Sequence, residues 1–173
     1  MSHHDHTHAD DREAGLKKLH DMIDDVEVAM LTGISADGRL LSRPLHTMDV
    51  DADGTLWFAT AYDTEKVREI EANPQVNVSY ESRGKGIYVS VSGRASIVRD
   101  RAIIDEKWSP GMSVFFKGGK DDPNLCLIRV DAESAEYWDG PSTAIGKGLY
   151  FLTTAVTRDP GNRMTENERI DLH

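Results

Sequence analysis

Cys126 is the only cysteine in the 173-residue chain. An intrachain disulfide and a cysteine-based zinc site are therefore both excluded. No apolar run approaches the roughly 20 residues that span a bilayer, and the N-terminus lacks the basic-then-apolar order of a secretory signal. Basic residues are in deficit. Twenty Lys and Arg face thirty Asp and Glu, for a net charge of −10 at pH 7. That balance disfavours nucleic-acid backbones and anionic membranes as partners, although a local basic cluster can still exist on an acidic protein. No G-x-G-x-x-G opens a helix after an early strand, and no Gly-x-Ser-x-Gly elbow is present, so neither a Rossmann dinucleotide site nor an α/β-hydrolase is indicated. Together these absences point to a reducing, cytoplasmic setting.

What is present reads as one domain, since a single domain typically runs to roughly 100–200 residues. Residues 1–11, MSHHDHTHADD, show no apolar periodicity and are expected to form a disordered tail before a domain covering 12–173. His3, His4, His6 and His8 in that tail are good metal ligands by type, but they sit on no rigid element, and a solvated tail is the expected reading. Leu16, Leu19, Met22 and Ile23 recur at helical spacing. From Val26 the period changes to two, and Asp37-Gly38 and Asp53-Gly54 supply turns that separate three strands, to about Thr32, from Arg39 to Asp49, and from Thr55 to Thr60. A helix follows from Thr64 to Asn73-Pro74, with the Thr64 hydroxyl as its expected N-cap. Alternation returns at Val76–Tyr80 and at Ile87–Val98. Asp100 caps a short helix carrying Ile104 and Trp108, residues 109–124 form a loop, and a sixth strand covers Leu125–Val130, continued by or paired with Ala135–Trp138. A last helix is expected over 145–156. Short strands joined by hairpins, with few intervening helices, argue for a mainly β barrel or sandwich.

Two places carry candidate chemistry. Arg43-Pro44 interrupts the second strand, and since proline donates nothing to a ladder, an edge or bulge is expected there. Arg43 could present its planar fork to a phosphate, or it could be a surface arginine on an edge strand. The second place is the junction from Thr60 to Lys66, a strand end feeding a helix start, where free N–H groups and the helix dipole favour an anion. Lys66 adds a cation where helix energetics prefer an acid, so a ligand would explain it. Asp63 and Glu65 support the other reading, an ordinary helix start.

The run RPLHTMDVDADGTLWFATAYDTEKVREIEANPQVNVSYES (43–82) closely resembles the FMN-binding split barrels related to pyridoxamine 5'-phosphate oxidase. YVSVSGRASIVRD (88–100), EKWSP (106–110), FFKGGKDDPNLCLIRVD (115–131), AEYWD (135–139) and the terminal ENERIDL extend the likeness toward the bacterial general stress protein branch. The resemblance implies a six-stranded antiparallel split β-barrel, flanked by helices, that binds FMN or alternatively FAD at the interface of a homodimer. It implies that Arg43, Pro44, Leu45 and His46 border the isoalloxazine, that Phe58, Ala59 and Thr60 follow the ribityl chain and ring, and that Thr64 and Lys66 hold the 5'-phosphate. Trp57, Phe58 and Leu45 are the residues expected to form an apolar slot for the ring. Trp108 and Phe116 are the aromatics expected to reach across the dimer, with plain core packing as the alternative.

His46 could donate a proton beside the ring or serve structurally, and no catalytic residue is assigned. The implied function is a flavin-dependent oxidoreductase on a small substrate. The alternatives are a stress protein that holds flavin without turnover and a ligand-free barrel used for protein contacts. The family's pyridoxamine phosphate oxidases carry a C-terminal Arg-x-His element; here Arg158, Arg163 and Arg169 lie outside such a context, which argues against that substrate.

Overall fold

A computed structural model of the chain describes residues 4–24, 26–139 and 166–171. Its element order is α1 (His4–Ile23), β1 (Val28–Ile34), β2 (Leu40–Val50), β3 (Leu56–Ala61), α2 (Glu65–Ala72), β4 (Gln75–Ser82), β5 (Ile87–Val98), α3 (Arg101–Lys107), β6 (Leu125–Asp139) and β7 (Glu166–Asp171). Two short 3₁₀ turns, Pro110–Val114 and Gly119–Asp121, occupy the expected loop.

All strand pairings are antiparallel, in the order β3-β2-β1-β4-β5-β6-β7, and an additional β3–β6 pairing closes six strands into a barrel. Closure depends on the length of β6. Its first half, Leu125–Val130, pairs with β3, and its second half, Ser134–Asp139, pairs with β7. The expected continuation from Val130 to Trp138 is thus one strand. The register of β5 against β6 shifts between Ser92 and Gly93, a bulge that adds local twist.

Period-two alternation sends one face of each strand inward. Leu31, Leu45, Phe58, Val78, Val91, Ile128 and Val130 fill the barrel, and Leu19, Met22 and Ile23 of α1 join them with Ile70 of α2. The helices sit toward opposite ends of β6. Tyr137, near its C-terminal end, is bonded by Lys18 of α1, whereas Cys126, at its start, lies beside Lys66 and Glu71 of α2. The outer wall is covered unevenly. Trp57, Leu125 and Leu127 face outward beneath Ile104, Trp108 and Phe116, forming a second cluster. The outer face of β1, β4 and β5 has no such cover among the described residues, and Val28, Met30 and Tyr88 are exposed there.

Three differences from the sequence reading stand out. The helix α1 begins at His4, so the backbone of residues 4–11, read above as a tail, continues the helix. β7, absent from the strand assignment, arises from Glu166–Asp171, a charged stretch without alternation that gains its pairing from β6. The helix expected over 145–156 lies outside the described residues. No described helix is long and apolar enough to cross a membrane.

Candidate functional site

Of the two alternatives expected at Arg43-Pro44, an edge or a bulge, β2 has the edge there and a register shift only farther along. Its Leu40–His46 stretch pairs with β1 alone, leaving the other backbone edge without a strand partner among the described residues, and its register against β3 shifts between Thr47 and Asp49. Pro44 therefore lies opposite Met30 on a half-paired strand, where a missing N–H is tolerated.

Alternation splits the four residues expected at the ring. Arg43 and Leu45 lie opposite the buried Leu31 and Ala29 and face the barrel side, whereas Pro44 and His46 lie opposite the exposed Met30 and Val28. The His46 ring stands 6.0 Å from that of Phe115, which leans over from the 3₁₀ segment while remaining 64 % exposed. On β3, Phe58 is wholly inside the barrel and Trp57 and Ala59 belong to the outer cluster. A single slot built from the side chains of Trp57, Phe58 and Leu45 is thus excluded, because adjacent strand residues point to opposite faces. Phe58 can offer a flavin only its backbone. Trp108 and Phe116 pack against Trp57, Ile104 and Leu127 of their own chain.

Inward-facing Thr60 ends the barrel side of β3, and there the second candidate assembles. Lys66 Nζ donates to Thr60 Oγ1 at 2.7 Å. The lysine is half-buried, and it has no carboxylate partner among the described residues. Burial, and secondarily the Arg43 charge, push its ammonium below the usual lysine range. Partial desolvation of a cation without a counter-charge is costly, and an anion supplied from outside would offset that cost.

Thr64 departs from expectation. Its hydroxyl donates to the Ala61 carbonyl at 2.9 Å and makes no cap bond to the helix. The first turn of α2 thus lacks a side-chain acceptor at its N-cap, and the dipole end stays available beside Lys66.

Arg43 is already engaged. Its two terminal nitrogens bind Glu69 of α2 in a fork, Nη1 to Oε2 at 2.6 Å and Nη2 to Oε1 at 3.1 Å. Glu69 is only 7 % exposed and Arg43 25 %. The sequence reading missed Glu69, because a glutamate in an amphipathic helix ordinarily faces solvent. What could have pointed to it is its place one turn from Lys66 and directly before Ile70, on the buried side of the helix.

The half-buried Lys66 at one barrel end, the half-paired edge of β2 and the closed split barrel invite comparison with known proteins. Residues 14–162 match the family described as pyridoxamine 5'-phosphate oxidase like. The chain belongs to that family. General stress protein 26 of Bacillus subtilis is 35 % identical over 121 residues, covering 68 % of this chain and 83 % of the relative. The crystal structure of a general stress FMN/FAD binding protein from Xanthomonas citri matches with a TM-score of 0.61 and 29 % identity, over 78 % of this chain and 92 % of that one. A protein related to general stress protein 26 from Clostridium acetobutylicum, at 16 % identity, shares the fold with a TM-score of 0.70 over 92 % of this chain and 95 % of its own.

Proposed function

We propose that this member of the pyridoxamine 5'-phosphate oxidase like family binds FMN and acts as a flavin-dependent oxidoreductase on a small substrate, working as a homodimer with the flavin between subunits. The observation that carries the reading is Lys66, a half-buried ammonium bonded to Thr60 at the uncapped start of α2, with no acidic partner among the described residues. A phosphate monoester supplies the missing charge, and the helix N-terminus supplies backbone donors for its oxygens. The described residues fit the group: Lys66, Thr60 and Thr64 would hold the phosphate, and the open edge of β2 from Arg43 to His46 would meet the ring's polar rim with backbone groups.

Bound FMN would bring a ring that accepts and returns hydride. The chain's own part is to fix that ring and shield it. Pro44 and His46 present one face, and their cross-strand neighbours Met30 and Val28 continue it as an exposed apolar surface. A shallow groove lined by Val28, Met30, Tyr88 and Trp138 extends that surface over β1, β4 and β5. Apolar groups of this size in the open mark an interaction face, and a second subunit seated there would cover the ring edge at Pro44 and His46. Retention of flavin without turnover is the second reading, favoured by the relative from Xanthomonas citri being named for stress and binding.

Protein purified without added cofactor and titrated with FMN tests the proposal. FMN fluorescence should be quenched on binding, and Lys66→Ala should weaken the affinity by about 10–100-fold, the worth of one charge-assisted contact. Unchanged FMN affinity in that variant would sink the phosphate placement. Flavin reduction by NADH or NADPH, followed by reoxidation with an electron acceptor, separates turnover from retention.

A further inference from the structure

We propose that Glu69 is a specificity-determining residue of the phosphate site, setting its charge so that a singly charged phosphate diester is accepted beside a doubly charged monoester. This rests on the flavin reading above. Taken alone, Lys66 and Arg43 would be two neighbouring cations at this end of the barrel, the Arg43 charge being felt by the Lys66 ammonium. The geometry says otherwise. Glu69 Oε1 and Oε2 take both terminal nitrogens of Arg43, and the glutamate doing so is itself only 7 % exposed. The cluster of Lys66, Arg43 and Glu69 therefore carries a net charge of +1, not +2. Glu65, on the first turn of α2, adds a further negative charge on the rim.

A phosphate monoester bears close to two negative charges at neutral pH, because its second ionisation lies near pH 6. Each phosphate of a dinucleotide bears one, its second charge sitting on the neighbouring phosphate, farther from the cluster. A +1 cluster balances the second kind of group fully and the first only in part. The buried Glu69 carboxylate repels a dianion about twice as strongly as a monoanion at the same distance. Glu69 also holds the Arg43 fork in one orientation, and the remaining donors of that guanidinium, which has five in all, have no partner among the described residues. Arg43 is thus aimed and largely neutralised by the same contact.

The test is titration of wild type, Glu69→Gln and Glu69→Asp with FMN, FAD and riboflavin, followed by flavin fluorescence at fixed pH and salt. Glutamine keeps an acceptor for Arg43 and removes the charge. Glu69→Gln should tighten FMN about tenfold and FAD about threefold, leaving riboflavin unchanged, while Glu69→Asp keeps the wild-type ratio of FMN to FAD affinity. An equal effect on all three flavins, no effect, or weaker FMN binding in Glu69→Gln overturns the assignment, since a merely structural role would not sort ligands by charge. If Glu69→Gln does not fold, the pair is removed together as Arg43→Gln with Glu69→Gln. That double variant keeps the net charge of +1, so the FMN to FAD ratio should hold at its wild-type value, and a changed ratio overturns the assignment. Should the wild type bind none of the flavins, the flavin reading fails on its own, and inorganic phosphate decides on Glu69. A larger thermal shift by phosphate in Glu69→Gln than in wild type supports its role, and an equal or smaller one overturns it.

Discussion

Single residues were unequally legible. Lys66 stood out in the sequence because a cation in the first turn of a helix opposes the helix dipole, and the structure leaves it half-buried with only the Thr60 hydroxyl as hydrogen-bond partner among the described residues. Glu69 did not stand out, because its partner Arg43 is 26 residues away on another element, and no local pattern announces such a contact. Cys126 gives the residue-scale prediction. It is fully buried at the start of β6, its Sγ 3.5 Å from the Thr60 carbonyl, and burial pushes its thiol up to about 11 from the ordinary 9.0. An acid whose pKa is raised on folding keeps its proton in the native state while the unfolded chain loses it. Between pH 9 and pH 11 the native state binds more protons, so this group's contribution to stability falls as pH rises through that window. Lys66 acts with the opposite sign. A base with a lowered pKa gives up its proton earlier when folded, so stability recovers as pH rises toward 10.5. The Cys126→Ala variant, melted across pH 8 to 11, should therefore lose less stability on the alkaline side than wild type. A parallel pair of curves would mean that the thiol does not stay neutral in the fold.

At the scale of elements, the strands were legible because alternation and turn residues agree. Asp37-Gly38 and Asp53-Gly54 predicted two turns, and both glycines adopt positive φ there, 82° and 88°. Pro44 announced a defect in β2, and a half-paired edge followed by a bulge is what the strand has. Thr64 misled, because its residue type suits an N-cap but its hydroxyl turns back to Ala61, a choice made by the preceding loop and invisible in the helix sequence. β7 was hidden for a different reason. Its residues acquire strand geometry from the far half of β6 rather than from their own propensity. The bulge at Gly93 also left no mark beyond a glycine within a strand, yet it is tightly constrained: a Cβ there would lie 2.3 Å from the Asp131 carbonyl oxygen. Gly93→Ala must shift the β5–β6 pairing backbone. The expected loss is about 2 kcal/mol, seen as a melting temperature lower by about 4–8 °C in a chain of this size. An unchanged melting temperature would show that the bulge gives way freely.

On the whole-molecule scale, closure of the barrel could not be read from pattern, since it depends on which distant strand β6 finds with its first half, and period-two alternation is the same in a sandwich. The total charge was legible, and it conflicts with the local site. The chain carries −10 overall, yet Lys66 and the α2 N-terminus, with Arg43 offset by Glu69, make one cationic spot beside β3. A flavin phosphate approaching from afar meets the whole field; once bound it meets the spot. At about 0.01 M salt the screening length is about 30 Å, long enough for an incoming anion to sense most of the acidic surface, whereas at about 0.15 M it shrinks to about 8 Å and only the spot remains. The association rate of FMN, measured by stopped-flow quenching, should therefore rise as salt is added over that range, opposite to the behaviour of a ligand steered by a matching surface. Over the same range the dissociation rate should also rise, because screening weakens the contact with Lys66. An association rate that falls with salt would mean that the cationic spot governs the approach, and that the acidic residues lie on faces the ligand never passes.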